Sequence, residues 1–145
     1  MKRRAMKLRY AAAAAAAAAA LAAGTGIAAA APHATATKLT YVATQSKMIT
    51  YSRTTGAANG TLTQSGKLTG FFELSFKFTK TSGTADLAAD INGGLLYAAL
   101  KLSATGNNAS GPITGGTGTY AGAKGTVVAK ATGKTTHLVT ITYTG

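Results

Sequence analysis

Between Leu68 and Lys80 the side chains alternate strictly: Phe72, Leu74, Phe76 and Phe78 fall on one side, and Phe71, Glu73, Ser75, Lys77 and Thr79 on the other. A period of two is the signature of an extended strand, because successive Cβ atoms point to opposite faces of a sheet. Four large apolar side chains on one face contribute about 1.5–3 kcal/mol each when fully buried, so this strand anchors a core. The rest of the chain must then supply strands to cover that face.

Such strands are legible on both sides of it. Leu39, Tyr41 and Ala43 alternate with Thr40, Val42 and Thr44, and Met48–Ser52 continues in extended character, so residues 38–53 are predicted as one long strand or a strand pair. Gly56–Gly60 is predicted as a loop, and Thr61–Gln64 as a short strand ended by Ser65-Gly66. Thr84–Asn92 fits a strand or one helical turn, since Ala85, Leu87, Ala88, Ala89 and Ile91 suit both. Gly93-Gly94 breaks the chain before Leu95–Ser103, where Leu96, Ala98, Leu100 and Leu102 alternate with Leu95, Tyr97, Ala99 and Lys101 in a further strand. Thr105–Gly111 is predicted as a turn, and Val127–Lys130 as a strand closed by the tight connection Thr132-Gly133-Lys134. Thr136–Thr144 is the last strand, with His137, Val139, Ile141 and Tyr143 on one side. Seven or eight short strands spaced by turn signals predict an all-β sandwich or barrel.

The first thirty-one residues have a different texture. Lys2, Arg3, Arg4, Lys7 and Arg9 precede the alanine run Ala11–Ala23, the order of a basic n-region and an h-region. Ala29 and Ala31 satisfy a small-x-small cleavage rule, and Ala34-Thr35-Ala36 offers a later site. The run is weakly hydrophobic and is interrupted by Gly24, Thr25 and Gly26, short of the ~20 apolar residues that a membrane span needs. We therefore expect residues 1–31 to be a signal peptide, cleaved as late as 36, residues 32–145 to form one domain, and no stable membrane span to remain after processing. The protein is expected outside the cytoplasm, by the general or the twin-arginine route, the second because of Arg3-Arg4-Ala5-Met6-Lys7-Leu8. Five of the fifteen basic residues leave with the signal, so the domain keeps ten against three acids. These ten are scattered singly, which predicts a solvated surface and no nucleic-acid partner.

The chemical inventory is short. The chain has no cysteine, which excludes thiol redox chemistry and disulfides, and its acids are Glu73, Asp86 and Asp90 alone. His33 lies at the signal border and His137 in a strand, with no serine in a nucleophile elbow and no His/Asp/Glu cluster for a metal. Neither a catalytic residue nor a cofactor is expected, and enzyme activity stays open. Glu73 shares its face with Phe71, Ser75 and Lys77: on a cavity wall it polarises a ligand, and on the outside it is a surface carboxylate beside Lys77. Tyr97 and Tyr120 are phenols able to donate hydrogen bonds into a pocket or simply to pack.

The densest glycine text is Gly115-Gly116-Thr117-Gly118-Thr119-Tyr120-Ala121-Gly122-Ala123-Lys124-Gly125. A strand follows it where a dinucleotide turn needs a helix, and no Gly-Lys-Ser/Thr order follows, so a structural turn is favoured over a phosphate loop. This text resembles the G-G-[ST]-G-x-[FY]-x-x-[AVY]-[RKY]-G pattern of the dirigent proteins and the related allene oxide cyclases, with Gly115, Gly116, Gly118, Gly122 and Gly125 as its structural glycines. Ile91–Tyr97, Pro112-Ile113-Thr114 and the closing threonine-rich strand extend the similarity to the small exported bacterial members, over Asp90–Gly145. The resemblance implies an eight-stranded antiparallel β-barrel, often trimeric, with a cavity for a small hydrophobic or phenolic molecule. The expected function is thus a ligand-binding or non-catalytic barrel, with Glu73, Tyr97 and Tyr120 as candidate ligand residues. The alternatives are a cyclase or coupling-directing enzyme that works by positioning its substrate, and a structural cell-envelope protein whose barrel is filled by its own side chains.

Overall fold

A computed structural model describes residues 34–145. The expected signal peptide lies outside the described residues. Eight antiparallel strands follow one another and close into a barrel in sequence order: β1 (Thr37–Thr50), β2 (Thr55–Gln64), β3 (Lys67–Phe78), β4 (Ser82–Ile91), β5 (Gly94–Ser103), β6 (Asn108–Gly116), β7 (Lys124–Ala131) and β8 (Thr136–Thr144). Closure is made by β1 against β8, with Thr37 opposite Tyr143 and Thr44 opposite Thr136. Apart from the closing β1–β8 pair, each neighbour in the sheet is the neighbour in sequence, so every connection is a hairpin or short loop and closure leaves no free sheet edge along most of the wall.

The strict alternation of β3 is realised as read: Phe72, Leu74, Phe76 and Phe78 face inward and Phe71, Glu73, Ser75 and Lys77 outward. Thr84–Asn92 resolves as strand, because β4 pairs along its length with both β3 and β5 and a helical turn would forfeit both ladders. Two hairpins use residues of positive φ, Ser65-Gly66 (51° and 77°) and Asn92-Gly93 (45° and 87°), whose twist matches that of the strands they join. The second break therefore sits one residue earlier than expected, and Gly94 already belongs to β5.

Two loops expected from the sequence are strand. Gly56–Gly60 lies inside β2, and the Thr105–Gly111 turn ends at Asn107, with Ser110 and Gly111 in β6. Both segments are glycine-containing and carry no side-chain period, yet tertiary packing selects the extended form. Gly60 and Gly56 pair directly with Phe72 and Phe76, whose rings lie over them, and Gly111 presses against the Ala99 carbonyl of β5. A Cβ at any of the three would collide.

The core lies inside the barrel. Tyr41, Leu62, Phe72, Ile91, Leu96, Val127 and Ile141 are all buried, and no charged side chain among the described residues is.

Candidate functional site

The lumen has one sealed and one accessible end, and the sequence accounts for both. At the first, where β1, β3, β5 and β7 begin, the segment between β6 and β7 folds across the opening as a 3-10 turn, Gly118–Tyr120. Gly118 (φ 56°) and Gly122 (φ 78°) supply its left-handed positions. Hydrogen bonds pin it to the β4–β5 hairpin: Thr117 N–H donates to the Leu95 carbonyl at 2.8 Å, Leu95 N–H to the Thr117 hydroxyl at 3.2 Å, and the Thr119 hydroxyl to the Asn92 carbonyl at 3.3 Å. The turn drives Tyr120 into the barrel, where it is 2% exposed and packs over Gly94 and Gly116. Gly125 meets the Thr142 carbonyl of β8, whereas Gly115 has open space where a side chain would stand.

Tyr120 meets Tyr143 edge to face, with ring centroids 5.4 Å apart at 67°, and Tyr41 completes the cluster. The Tyr41 hydroxyl is enclosed without a completed hydrogen bond, although the Tyr120 hydroxyl and the Asn92 side chain approach it. Burial pushes both phenols above their ordinary range; for Tyr120 the neighbouring phenols Tyr41 and Tyr143 add to the rise, and for Tyr41 the approach of Tyr120 tempers it. Tyr41 and Tyr120 are therefore neutral at ordinary pH, and with the Tyr143 ring they serve as a plug.

Towards the opposite end the inner wall opens. Ile91, Leu96 and Ile141 near the plug are at most 1% exposed, but Leu74, Phe76, Phe78, Leu87, Leu102 and Ala129 are only half-buried although they face inward. Phe76 and Phe78 form a tilted pair at 5.6 Å and 59°. Phe78 lies over Gly83 of β4 as Phe76 lies over Gly56 of β2, so both rings spread along the wall in place of missing side chains. His137 joins this half, on the inner face between Ala43 of β1 and Ala131 of β7. The result is an apolar, partly aromatic inner wall that packs against the core, is closed by tyrosines at one end and carries one imidazole towards the other. It offers shape and apolar area more than acid–base chemistry.

The three residues singled out as ligand contacts do not converge. Tyr120 is inside, at the plug. Glu73 and Tyr97 are on the outer wall, Glu73 exposed and Tyr97 37% exposed. Asp86 and Asp90 also face outward, opposite Ser75 and Phe71. Glu73 and Asp90 instead line a shallow outer groove of about 450 Å³ with Phe71, Thr61, Ala88 and Leu95. Among the described residues no three of His, Asp and Glu come together in a way that would hold a metal. The residues that sequence reasoning did not single out are Tyr41, Tyr143, Phe76, Phe78 and His137. The phenylalanine face was legible from its alternation, whereas the gathering of Tyr41 and Tyr143 with Tyr120 and the place of His137 on the inner wall required the register.

No family model matches this sequence, and no curated protein does. Among solved structures, the barrel is similar to pyocyanin demethylase, with a TM-score of 0.66 at 18% identity over 74% of this chain and 100% of that one. It is also similar to a pterocarpan synthase dirigent protein, with a TM-score of 0.58 at 15% identity over 75% of this chain and 83% of that one. At such identities the likeness is one of fold: the chain shares a β-barrel architecture with these two proteins.

Proposed function

We propose that the protein is an exported barrel that holds a small hydrophobic or phenolic molecule in its lumen. The observation that carries this reading is the gradient of burial along the inner wall, sealed by Tyr120 at one end and leaving Phe76, Phe78, Leu102 and Ala129 accessible at the other. A barrel packed solid by its own side chains would bury these residues as fully as Leu96. Eight strands enclose about enough room for side chains or one small ligand, and the glycines opposite the phenylalanines move that balance towards a ligand.

Holding is favoured over turnover because all three acids of the described residues face outward, leaving His137 and the phenols inside. Export rests on the basic and alanine-rich N-terminus. A homo-oligomer is part of the proposal: exposed Phe71 on β3 and Leu95 and Tyr97 on β5, on either side of β4, give self-association apolar contacts. Mass spectrometry of the purified protein before and after denaturation tests the main claim. A small apolar molecule released in stoichiometric amount supports it, and none released, together with no uptake of added phenolic or hydrophobic compounds, would assign the barrel to the structural class.

A further inference from the structure

Charge is distributed unevenly along the barrel axis. The loops at the open end carry Arg53, Lys80 and Lys134, one on each of three loops and all exposed. Lys47, Lys77, Lys101 and Lys130 lie within three residues of the strand ends that run into it. Seven of the ten basic residues in 34–145 therefore gather there, and none of the three acids does: Glu73 and Asp86 are mid-strand, and Asp90 is beside the plug. The closed end has Lys38, Lys67 and Lys124.

The open end also presents apolar side chains. Met48, Ile49 and Tyr51 are 53%, 44% and 71% exposed. They follow the bulge at Ser46, beyond the point where β1 stops pairing with β8 at Thr44, so the tip of the β1–β2 hairpin stands free on that side. Apolar side chains set among bases are what a peripheral lipid-binding surface requires: the apolar groups enter the headgroup boundary, and the bases meet phosphates. A soluble polyanion would use the bases and give the apolar tip no role.

We propose that the open end docks peripherally on an anionic lipid surface, with Ile49 and Tyr51 entering the interface and Arg53, Lys80 and Lys134 meeting the headgroup phosphates. The docking needs no ligand in the lumen. Its consequence, which does rest on the lumen reading, is that the mouth faces the lipid, so an apolar molecule passes between membrane and barrel without crossing water.

The test is partition of the purified protein onto phosphatidylglycerol-containing vesicles and onto neutral phosphatidylcholine vesicles at low and high salt. Three variants are compared: Arg53→Gln/Lys80→Gln/Lys134→Gln, the opposite-end triple Lys38→Gln/Lys67→Gln/Lys124→Gln, and Ile49→Ser/Tyr51→Ser. All share one N-terminus, so whatever it contributes cancels, and all change exposed positions, so circular dichroism should match the wild type. Each base near an anionic surface is worth roughly fivefold, so the open-end triple should lose about a hundredfold in partition and the opposite-end triple much less. The apolar pair should lower partition at high salt, where the ionic part is screened. The proposal is overturned if phosphatidylglycerol vesicles bind no better than neutral ones, or if both triples lose equally, which is adhesion by net charge alone. It is also overturned if soluble polyphosphate competes fully and the apolar pair has no effect, which marks a polyanion partner.

Discussion

Phe72, Phe76 and Phe78 each lie across from a glycine, at Gly60, Gly56 and Gly83, and these pairings set how far the rings reach into the lumen. Gly60→Ala places a methyl group against the Thr44 carbonyl and the Phe72 ring, and should destabilise by about 1–3 kcal/mol in urea unfolding. Tyr41→Phe removes a hydroxyl that has no completed hydrogen bond, so its cost should stay within about 1 kcal/mol, whereas Tyr120→Ala empties the plug and should cost about 3–5 kcal/mol. The phenylalanine face was legible from period two alone. The glycines were not, because a residue without a side chain carries no period and its strand character comes from the ring of another strand. Gly115 shows the converse: it matches the family pattern, yet nothing within this chain's fold crowds it.

Single elements divide the chemistry by face. β3 sends its apolar residues inward and Glu73 outward, so Glu73→Gln should leave both stability and lumen occupancy unchanged, as read by urea unfolding and by released ligand. Of the two roles open to Glu73 in the sequence, the surface position is the one it takes. The lid between β6 and β7 links the tyrosine plug to pH. Tyr41 and Tyr120 are raised above 10.0 in the folded protein, so above that pH the unfolded chain gives up protons that the folded one keeps. Stability is therefore whole below pH 10.0 and falls as pH rises through the folded values. Alkaline titration followed by tyrosinate absorbance should show a late class of tyrosines that ionises together with unfolding; a single class ionising while the fold persists would contradict the buried plug. The glycine motif was recognisable as structural, but its action as a lid carrying Tyr120 depended on hydrogen bonds to Asn92 and Leu95, residues far off in sequence.

Residues 34–145 form a meander closed on itself, and strand count, alternation and the Gly115–Gly125 text together made the barrel legible. What distinguishes one end from the other was not, since it arises from where the lid folds and where β1 outruns β8. That polarity gives the molecule a sealed floor, an aromatic wall and a basic mouth, and it is the basis of the ligand-holding account. The most direct test is titration with a neutral, polarity-sensitive fluorophore of the wild type, of Ala129→Leu, which narrows the open half of the lumen, and of Phe71→Ser, which alters only the outer groove. The account predicts one saturable site that weakens at least about tenfold in Ala129→Leu, with stability kept because the added methyl groups enter open space, and that persists in Phe71→Ser. Binding lost in Phe71→Ser and kept in Ala129→Leu, or an Ala129→Leu variant destabilised by overpacking, would contradict an open lumen.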